Sequence, residues 1–278
     1  MRLRSLLFVP ADRPERFTKA VATGADAIIL DLEDSVSAAN KAAGRAAIAA
    51  FLGAPRSCAV LVRVNPLDSG MTADDLAAVL PGLPDGIMLP KAEGAASVDA
   101  LRALMAGADI PILPIATETP GAMFELSSYA SRAAHLLGLS WGAEDLPAAI
   151  GASAAREADG RYTAPIELAR SLTLFGAHKA GVAAIETVYP DFRDEAGLAA
   201  YAARGRRDGF TGMMAIHPAQ VAVINAAFTP SEAEIDHAQA VIAAFAANPG
   251  AGVLQLDGKM IDAPHLKQAH KIVDLAGL

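Results

Sequence analysis

The sequence predicts an α/β fold: a (β/α)8 TIM barrel with a C-terminal helical and hairpin extension. Three observations predict it. Eight short apolar runs recur at 5–9, 27–30, 59–64, 86–89, 111–116, 136–140, 182–187 and 211–216, each ending in a polar, Gly- or Pro-containing loop, as buried parallel strands do. Stretches with helical spacing lie between them at 15–23, 38–52, 74–80, 97–105, 165–180 and 196–207. Strands alternating with helices imply a parallel sheet, which eight strands can close into a barrel. Polar groups also gather at the ends of the runs: Asp12-Arg13, Asp31 with Glu33 and Asp34, Arg63 with Asn65, Lys91, Glu118, Glu144-Asp145, Glu186 and His217. Such a ring belongs at the catalytic mouth of a barrel. A doubly wound open sheet is the alternative, weakened because no Gly-rich phosphate loop follows the first run.

The bulk numbers agree. A chain of 278 residues, 53% of them hydrophobic, can build one large core. Formal net charge is -8, from 31 acidic and 23 basic residues with no Lys/Arg run, so nucleic acid is not expected as a partner. No apolar stretch reaches the roughly 20 residues of a membrane helix. Cys58 is the single cysteine, which excludes an internal disulfide and fits a reducing cytoplasm.

The first run follows Arg2 and Arg4 and imitates a signal peptide, but its apolar part is short and Asp12-Arg13 follows at once, so it reads as a strand. Pro14 suits a first helical turn, and Arg13, Arg16 and Lys19 make a small basic patch. Three carboxylates within Asp31-Leu32-Glu33-Asp34 repel one another unless cations balance them. Arg63, Lys91 and a metal are candidate partners, and a solvated acidic loop is the alternative. Arg63 ends the run from Cys58 to Val62. A buried Arg needs an anionic partner, either an internal carboxylate or that of a substrate. The acidic residues after the fifth and sixth runs, in Thr117-Glu118-Thr119 and Gly142-Ala143-Glu144-Asp145, are either helix caps or hard ligands for Mg2+. His217, before Pro218, is an acid/base or a structural group bonded to backbone.

Past residue 229 the chain exceeds what a barrel needs. A helix is expected over 231–247, opened by Ser231 with Glu232 and Glu234 in its first turn. A hairpin follows with Asp257-Gly258 at its turn, then a helix over 263–275. The division expected is 1–229 as the catalytic barrel and 230–278 as a lid, or an arm onto a neighbouring subunit.

Taken together, Leu7-Phe8-Val9-Pro10, Asp31-Leu32-Glu33-Asp34, Val62-Arg63-Val64-Asn65, Leu89-Pro90-Lys91, Thr117-Glu118-Thr119, Trp141-Gly142-Ala143-Glu144-Asp145, Val188-Tyr189-Pro190-Asp191, Ala215-Ile216-His217-Pro218 and Asp257-Gly258-Lys259-Met260-Ile261-Asp262 resemble the citrate lyase β-subunit-like group of the HpcH/HpaI aldolase superfamily, close to malyl-CoA and citramalyl-CoA lyases. The resemblance implies a TIM barrel assembled as a homotrimer or dimer of trimers, with Mg2+ (or Mn2+) on Glu118 and Asp145. It implies that Arg63 grips a 2-oxoacid and that Asp262, from a neighbouring subunit, handles the proton of the acetyl methyl group. The expected substrate contacts are Arg63, Glu118, Gly142 and Ala143, with Arg13 and Lys19 for the phosphates of coenzyme A. The sequence departs from the resemblance at Ala116-Thr117-Glu118 and at Met213. The activity implied is reversible cleavage of a malyl-, citramalyl- or citryl-CoA into acetyl-CoA and a 2-oxoacid. An acyl-CoA thioesterase, a malate-synthase-like enzyme, or the β component of a multi-subunit citrate lyase stand as alternatives.

Overall fold

In the computed structural model, which describes residues 2–277, the eight apolar runs form eight parallel strands. They are β1 (Ser5–Pro10), β2 (Ala27–Asp31), β3 (Ala59–Arg63), β4 (Gly86–Leu89), β5 (Ile112–Pro114), β6 (Gly138–Ser140), β7 (Ala183–Glu186) and β8 (Gly212–Ala215). Neighbours in sequence are neighbours in the sheet, and β1 pairs with β8. The seam between β5 and β6 closes through two isolated bridges, Ile112 with Leu136 and Ile115 with Ser140, and through N–H bonds from Leu137 to Ile112 and from Ala116 to Ser140, each 2.8 Å. Pro111 and Pro114 flank and end β5. They offer no N–H to a ladder, which explains why this strand is short and its seam thin. The barrel expected from the sequence is the fold observed.

Helices α1 (Phe17–Val21), α2 (Lys41–Leu52), α3 (Thr72–Val79), α4 (Gly94–Leu104), α5 (Ala122–Glu125), α6 (Asp145–Ala149), α7 (Ala164–Ala180), α8 (Glu195–Asp208) and α9 (Gln220–Ala227) connect the strands. The unit after β5 departs from a regular helix. The four residues of α5 run into a 3-10 stretch, Leu126–His135, broken at Arg132. Ser128 and Ser131 hydroxyls donate to carbonyls three residues back, a local bonding that competes with the α ladder.

Side-chain parity fixes what faces the barrel axis. Leu6, Ile29, Leu61, Met88, Leu113, Ile185 and Met214, one from each strand except β6, belong to a single buried cluster. Only the interior can bring seven strands' side chains together. Successive residues alternate faces, so Phe8, Asp31 and Arg63 continue the inward rows, while Glu186, next to Ile185, faces the helices.

The chain forms two compact units, the first ending at Asn225 and the second beginning at Ala226, the division falling inside α9. The second unit holds α10 (Glu232–Ala247), an antiparallel hairpin of β9 (Val253–Leu256) and β10 (Lys259–Asp262), and α11 (Ala263–Ala276). Ser231 and Glu234 form a reciprocal capping box at the start of α10. Asp257 and Gly258 both take positive φ, 48° and 76°, as the tight hairpin turn requires. Ala238, Val241, Ile261 and Ala269 make a core of its own. No helix among the described residues is long and apolar enough to cross a membrane.

Candidate active site

The inward rows end in a charged network. Arg63 Nε and Nη2 donate to the two oxygens of Asp31, each at 2.7 Å, and Nη1 lies 2.8 Å from Glu33 Oε2. The last contact is an ion pair without hydrogen-bond geometry, since Glu33 Oε2 has no hydrogen-bond partner. Beneath the guanidinium lies the Phe8 ring, 4.9 Å from the Arg63 Cζ to the centroid. Burial would raise the Asp31 carboxyl, but the Arg63 bonds overcome this and hold it below its ordinary range. Burial likewise pushes Glu33 up, and here the cations only partly offset it.

Lys91 joins this network to the next two strand ends. Its ammonium donates to Glu33 Oε1 at 2.7 Å and lies 3.5 Å from Asp145 Oδ1. Its backbone N–H donates to Glu118 Oε2 at 2.6 Å. Glu118 is buried, and desolvation, reinforced by the charges of Glu33 and Asp145, pushes its carboxyl up to about 8. The loops carrying Glu118 and Asp145 are tied together, because the Thr117 hydroxyl bonds both the N–H and the carbonyl of Gly142 at 3.3 Å. A Cβ on Gly142 would stand 3.0 Å from Glu118 Oε1, so glycine lets the backbone approach that carboxylate closely. Ala143 beside it is buried.

These residues fit a divalent cation. Two hard carboxylates, one of them under-compensated, both meet Lys91, Glu118 at its backbone N–H and Asp145 at its ammonium. Among the described residues there is no cluster of three or more His, Cys, Asp or Glu able to hold a metal. Two protein ligands, with water and substrate completing the shell, is the Mg2+ pattern rather than that of an all-protein cage.

Other members of the strand-end ring do structural work. The Asn65 amide and backbone N–H both donate to buried Asp75 at 2.7 Å. Glu186 accepts from Trp141 Nε1 at 2.6 Å, Arg170 Nε at 2.7 Å, the Tyr201 hydroxyl at 3.0 Å and the Thr187 N–H at 3.0 Å. His217 Nδ1 accepts from the Ala219 N–H at 3.2 Å, and its half-buried ring stacks on Phe192 at 4.5 Å. Glu144 N-caps α6 by position and is exposed. Arg13 and Lys19 are exposed, and the nearest carboxylate to Arg13 is Asp12 at 3.9 Å. In the second unit, Asp262 N-caps α11 with Oδ1 2.6 Å from His265 Nδ1.

The chain matches HpcH/HpaI aldolase/citrate lyase over residues 4–218. It belongs to that family. A citrate lyase subunit beta-like protein of Mycobacterium tuberculosis is 37% identical over 271 residues, covering 98% of this chain and 94% of its own. A (3S)-malyl-CoA thioesterase of Cereibacter sphaeroides is 36% identical over 276 residues, covering 96% and 92%. The crystal structure of CitE from M. tuberculosis in complex with magnesium, acetoacetate and coenzyme A superposes with a TM-score of 0.83 at 38% identity, over 99% of this chain and 98% of that one. The chain is therefore an enzyme of a lyase family, as the sequence motifs imply.

Sequence reasoning placed Lys91 in the strand-end ring and named it as a possible balance for the acidic loop, but gave it no role toward Glu118. Its grip on Glu118 comes through the backbone, and no residue-type pattern signals that. The Phe8 platform was missed too, although its parity with Leu6 would have placed it inside.

Proposed function

We propose that this protein is a Mg2+-dependent carbon–carbon lyase that reversibly cleaves a β-hydroxyacyl-CoA, of the malyl-, citramalyl- or citryl-CoA kind, into acetyl-CoA and a 2-oxoacid. One observation carries this reading: Glu118 and Asp145 both meet Lys91 beside the Arg63 fork, at the barrel end where catalytic sites lie. The relative bound to magnesium, acetoacetate and coenzyme A supports it.

Glu118 and Asp145 hold the ion. The chemistry supplied by bound Mg2+ is Lewis-acid polarisation of the oxoacid oxygens. Asp31 occupies the Nε–Nη2 edge of Arg63 and Glu33 lies 2.8 Å from Nη1, so the substrate carboxylate takes the Nη1–Nη2 edge in competition with Glu33. Gly142 and Ala143 leave room for the oxoacid against Glu118. In cleavage the hydroxyl proton passes to water, the oxygen's freed pair forms the new carbonyl, and the carbon–carbon pair passes to the α carbon of the thioester. Asp262, supplied by a second copy in a homotrimer or dimer of trimers, returns a proton to that carbon. Exposed Arg13 and Lys19 take the phosphates of coenzyme A.

The test is a panel of β-hydroxyacyl-CoA esters with Mg2+, read by mass spectrometry. Release of glyoxylate, pyruvate or oxaloacetate supports the lyase. Release of the free hydroxyacid instead identifies a thioesterase, the second reading, favoured by the 36%-identical malyl-CoA thioesterase. Asp262→Asn lowers turnover by roughly 10²–10⁴ while leaving Mg2+ affinity and the α11 cap intact, since Asn caps as well as Asp. Full activity in that variant removes Asp262 from the chemistry.

A further inference from the structure

Lys91 has a conformation that its residue type does not favour. Its φ is +50°, in the left-handed region that side-chain-bearing residues rarely adopt and that clusters at functional sites. Four non-glycine residues have positive φ among those described: Leu83, Lys91, Ala106 and Asp257. Only Lys91 stands at a strand exit with both ends of the residue in the site. The conformation turns its N–H toward Glu118 while the side chain reaches Glu33 and Asp145. One residue thus touches both carboxylates assigned to the metal. It also touches Glu33, which pairs with the Arg63 guanidinium.

The two attachments differ in kind. The N–H orients Glu118 and would persist with any side chain. The ammonium is a unit charge, 3.5 Å from Asp145 Oδ1, on a side chain that is one-third exposed and free to swing on its flexible stem. A divalent ion bound to the same carboxylates must share them with that charge.

We propose that Lys91 is a built-in counter-ion: its ammonium competes with the divalent cation for Asp145, while its left-handed backbone holds Glu118 ready for that cation. This rests on the assignment of Glu118 and Asp145 as metal ligands. Lys91 is a positioning residue in this scheme. It keeps an acidic mouth balanced and weakens cation binding to the extent that its own charge must be displaced. On binding, the ammonium keeps its bond to Glu33 and moves off Asp145.

Calorimetric titration of Mg2+ into the chelator-treated full-length protein tests this, with no turnover needed. Lys91→Met should bind Mg2+ more tightly than wild type, by about three- to tenfold at low salt, as removal of a nearby like charge implies. The gain should shrink as KCl rises, because screening acts on charge and not on shape. Lys91→Gly should show the same gain, and glycine is at ease at positive φ, so a folding defect cannot mask the result. Lys91→Arg, which keeps the charge, should stay close to wild type. Unchanged or weaker binding in both the Met and Gly variants overturns the proposal, as does an equal gain in Lys91→Arg. Glu118→Ala separates the two levels. If it abolishes binding while the Lys91 variants do nothing, the metal site stands and the counter-ion falls. If Glu118→Ala binds Mg2+ like wild type, the metal assignment fails and takes the proposal with it.

Discussion

Glu118 and Glu186 are both buried carboxylates at or just past the ends of strands in one barrel, and they are satisfied in opposite ways. Glu186 collects an indole N–H, a guanidinium N–H, a hydroxyl and a backbone N–H. Glu118 has a single hydrogen bond among its described contacts, from the Lys91 backbone. Burial pushes both carboxyls up, but Arg170 answers Glu186 directly at 2.7 Å, and Glu118 has no such ion pair among the described residues. A buried anion with saturated partners is part of the framework. One left with spare lone pairs is fitted to take a cation from outside.

The strongest way to break this comparison is to delete each carboxylate in turn. Glu186→Ala leaves Arg170, whose Nη2 is already buried without a partner, with Asp208 alone, also removes the acceptor of Trp141 and Tyr201, and should cost about 3–5 kcal/mol in urea unfolding. Its effect on Mg2+ affinity should be small. Glu118→Ala should do the reverse. Mg2+ affinity should fall by more than the ~10–100-fold that loss of an outer-shell partner costs, with unfolding within about 1 kcal/mol of wild type. If the two variants gave the same profile, the distinction between framework and site would be lost.

The two buried arginines extend the contrast. Arg63→Lys loses the fork that spans Asp31 and the substrate edge, and a charged hydrogen bond is worth about 1.5–3 kcal/mol. KM for the oxoacid in the condensation direction should rise by roughly ten- to a hundredfold by the same measure. Arg170→Lys, at a site closed by Glu186 and Asp208, should lower the unfolding midpoint and leave KM alone.

Much of this was legible in the sequence, for reasons that are local. Apolar runs marked all eight strands to within two residues, Ser231 with Glu234 marked the start of α10, and Asp257-Gly258 marked the hairpin turn. The ring of strand-end polar groups was legible as a ring, but its division was not. Parity would have separated Asp31 and Arg63 from Glu186, because Ile29 and Leu61 share their rows while Ile185 sits beside Glu186 in the core. Parity stops with the strand, however. Lys91 and Glu118 lie in loops and Asp145 opens α6, where one positive φ and one hydroxyl between Thr117 and Gly142 decide the directions. The irregular unit after β5 was illegible because serine hydroxyls bonding backward leave no helical period. The role of the second unit as a lid or arm was an expectation that only an assembled oligomer can test.

A subtler lever is Gly142. An added Cβ would meet Glu118 Cγ and Oε1 at 3.0 Å, close enough that the carboxylate must shift by a few tenths of an ångström. Glycine here has no positive φ, so alanine is tolerated by the backbone. Gly142→Ala should weaken Mg2+ by about tenfold with a change in unfolding free energy below about 1 kcal/mol. A stability loss without a change in metal affinity would mean that Gly142 serves packing alone.

The smallest expected effect lies at the opposite end of the strands, where Arg4 and Asp26 repeat the fork of Arg63 and Asp31. Arg4 gives Asp26 its Nε at 2.9 Å, its Nη2 at 2.7 Å and its backbone N–H at 2.8 Å. Burial raises the Asp26 carboxyl, yet these bonds overcome it and hold the group below its ordinary value. A carboxyl depressed in the folded chain stabilises fully above its unfolded value, near 3.9, and loses that contribution as pH falls through the folded value. Asp26→Asn should therefore cost about 1 kcal/mol in urea unfolding at pH 6–7, and the gap to wild type should close below about pH 4. Mg2+ affinity at neutral pH should not move. A gap that persisted undiminished at pH 2 would show that Asp26 contributes packing rather than charge. The two forks would then differ in more than what they face.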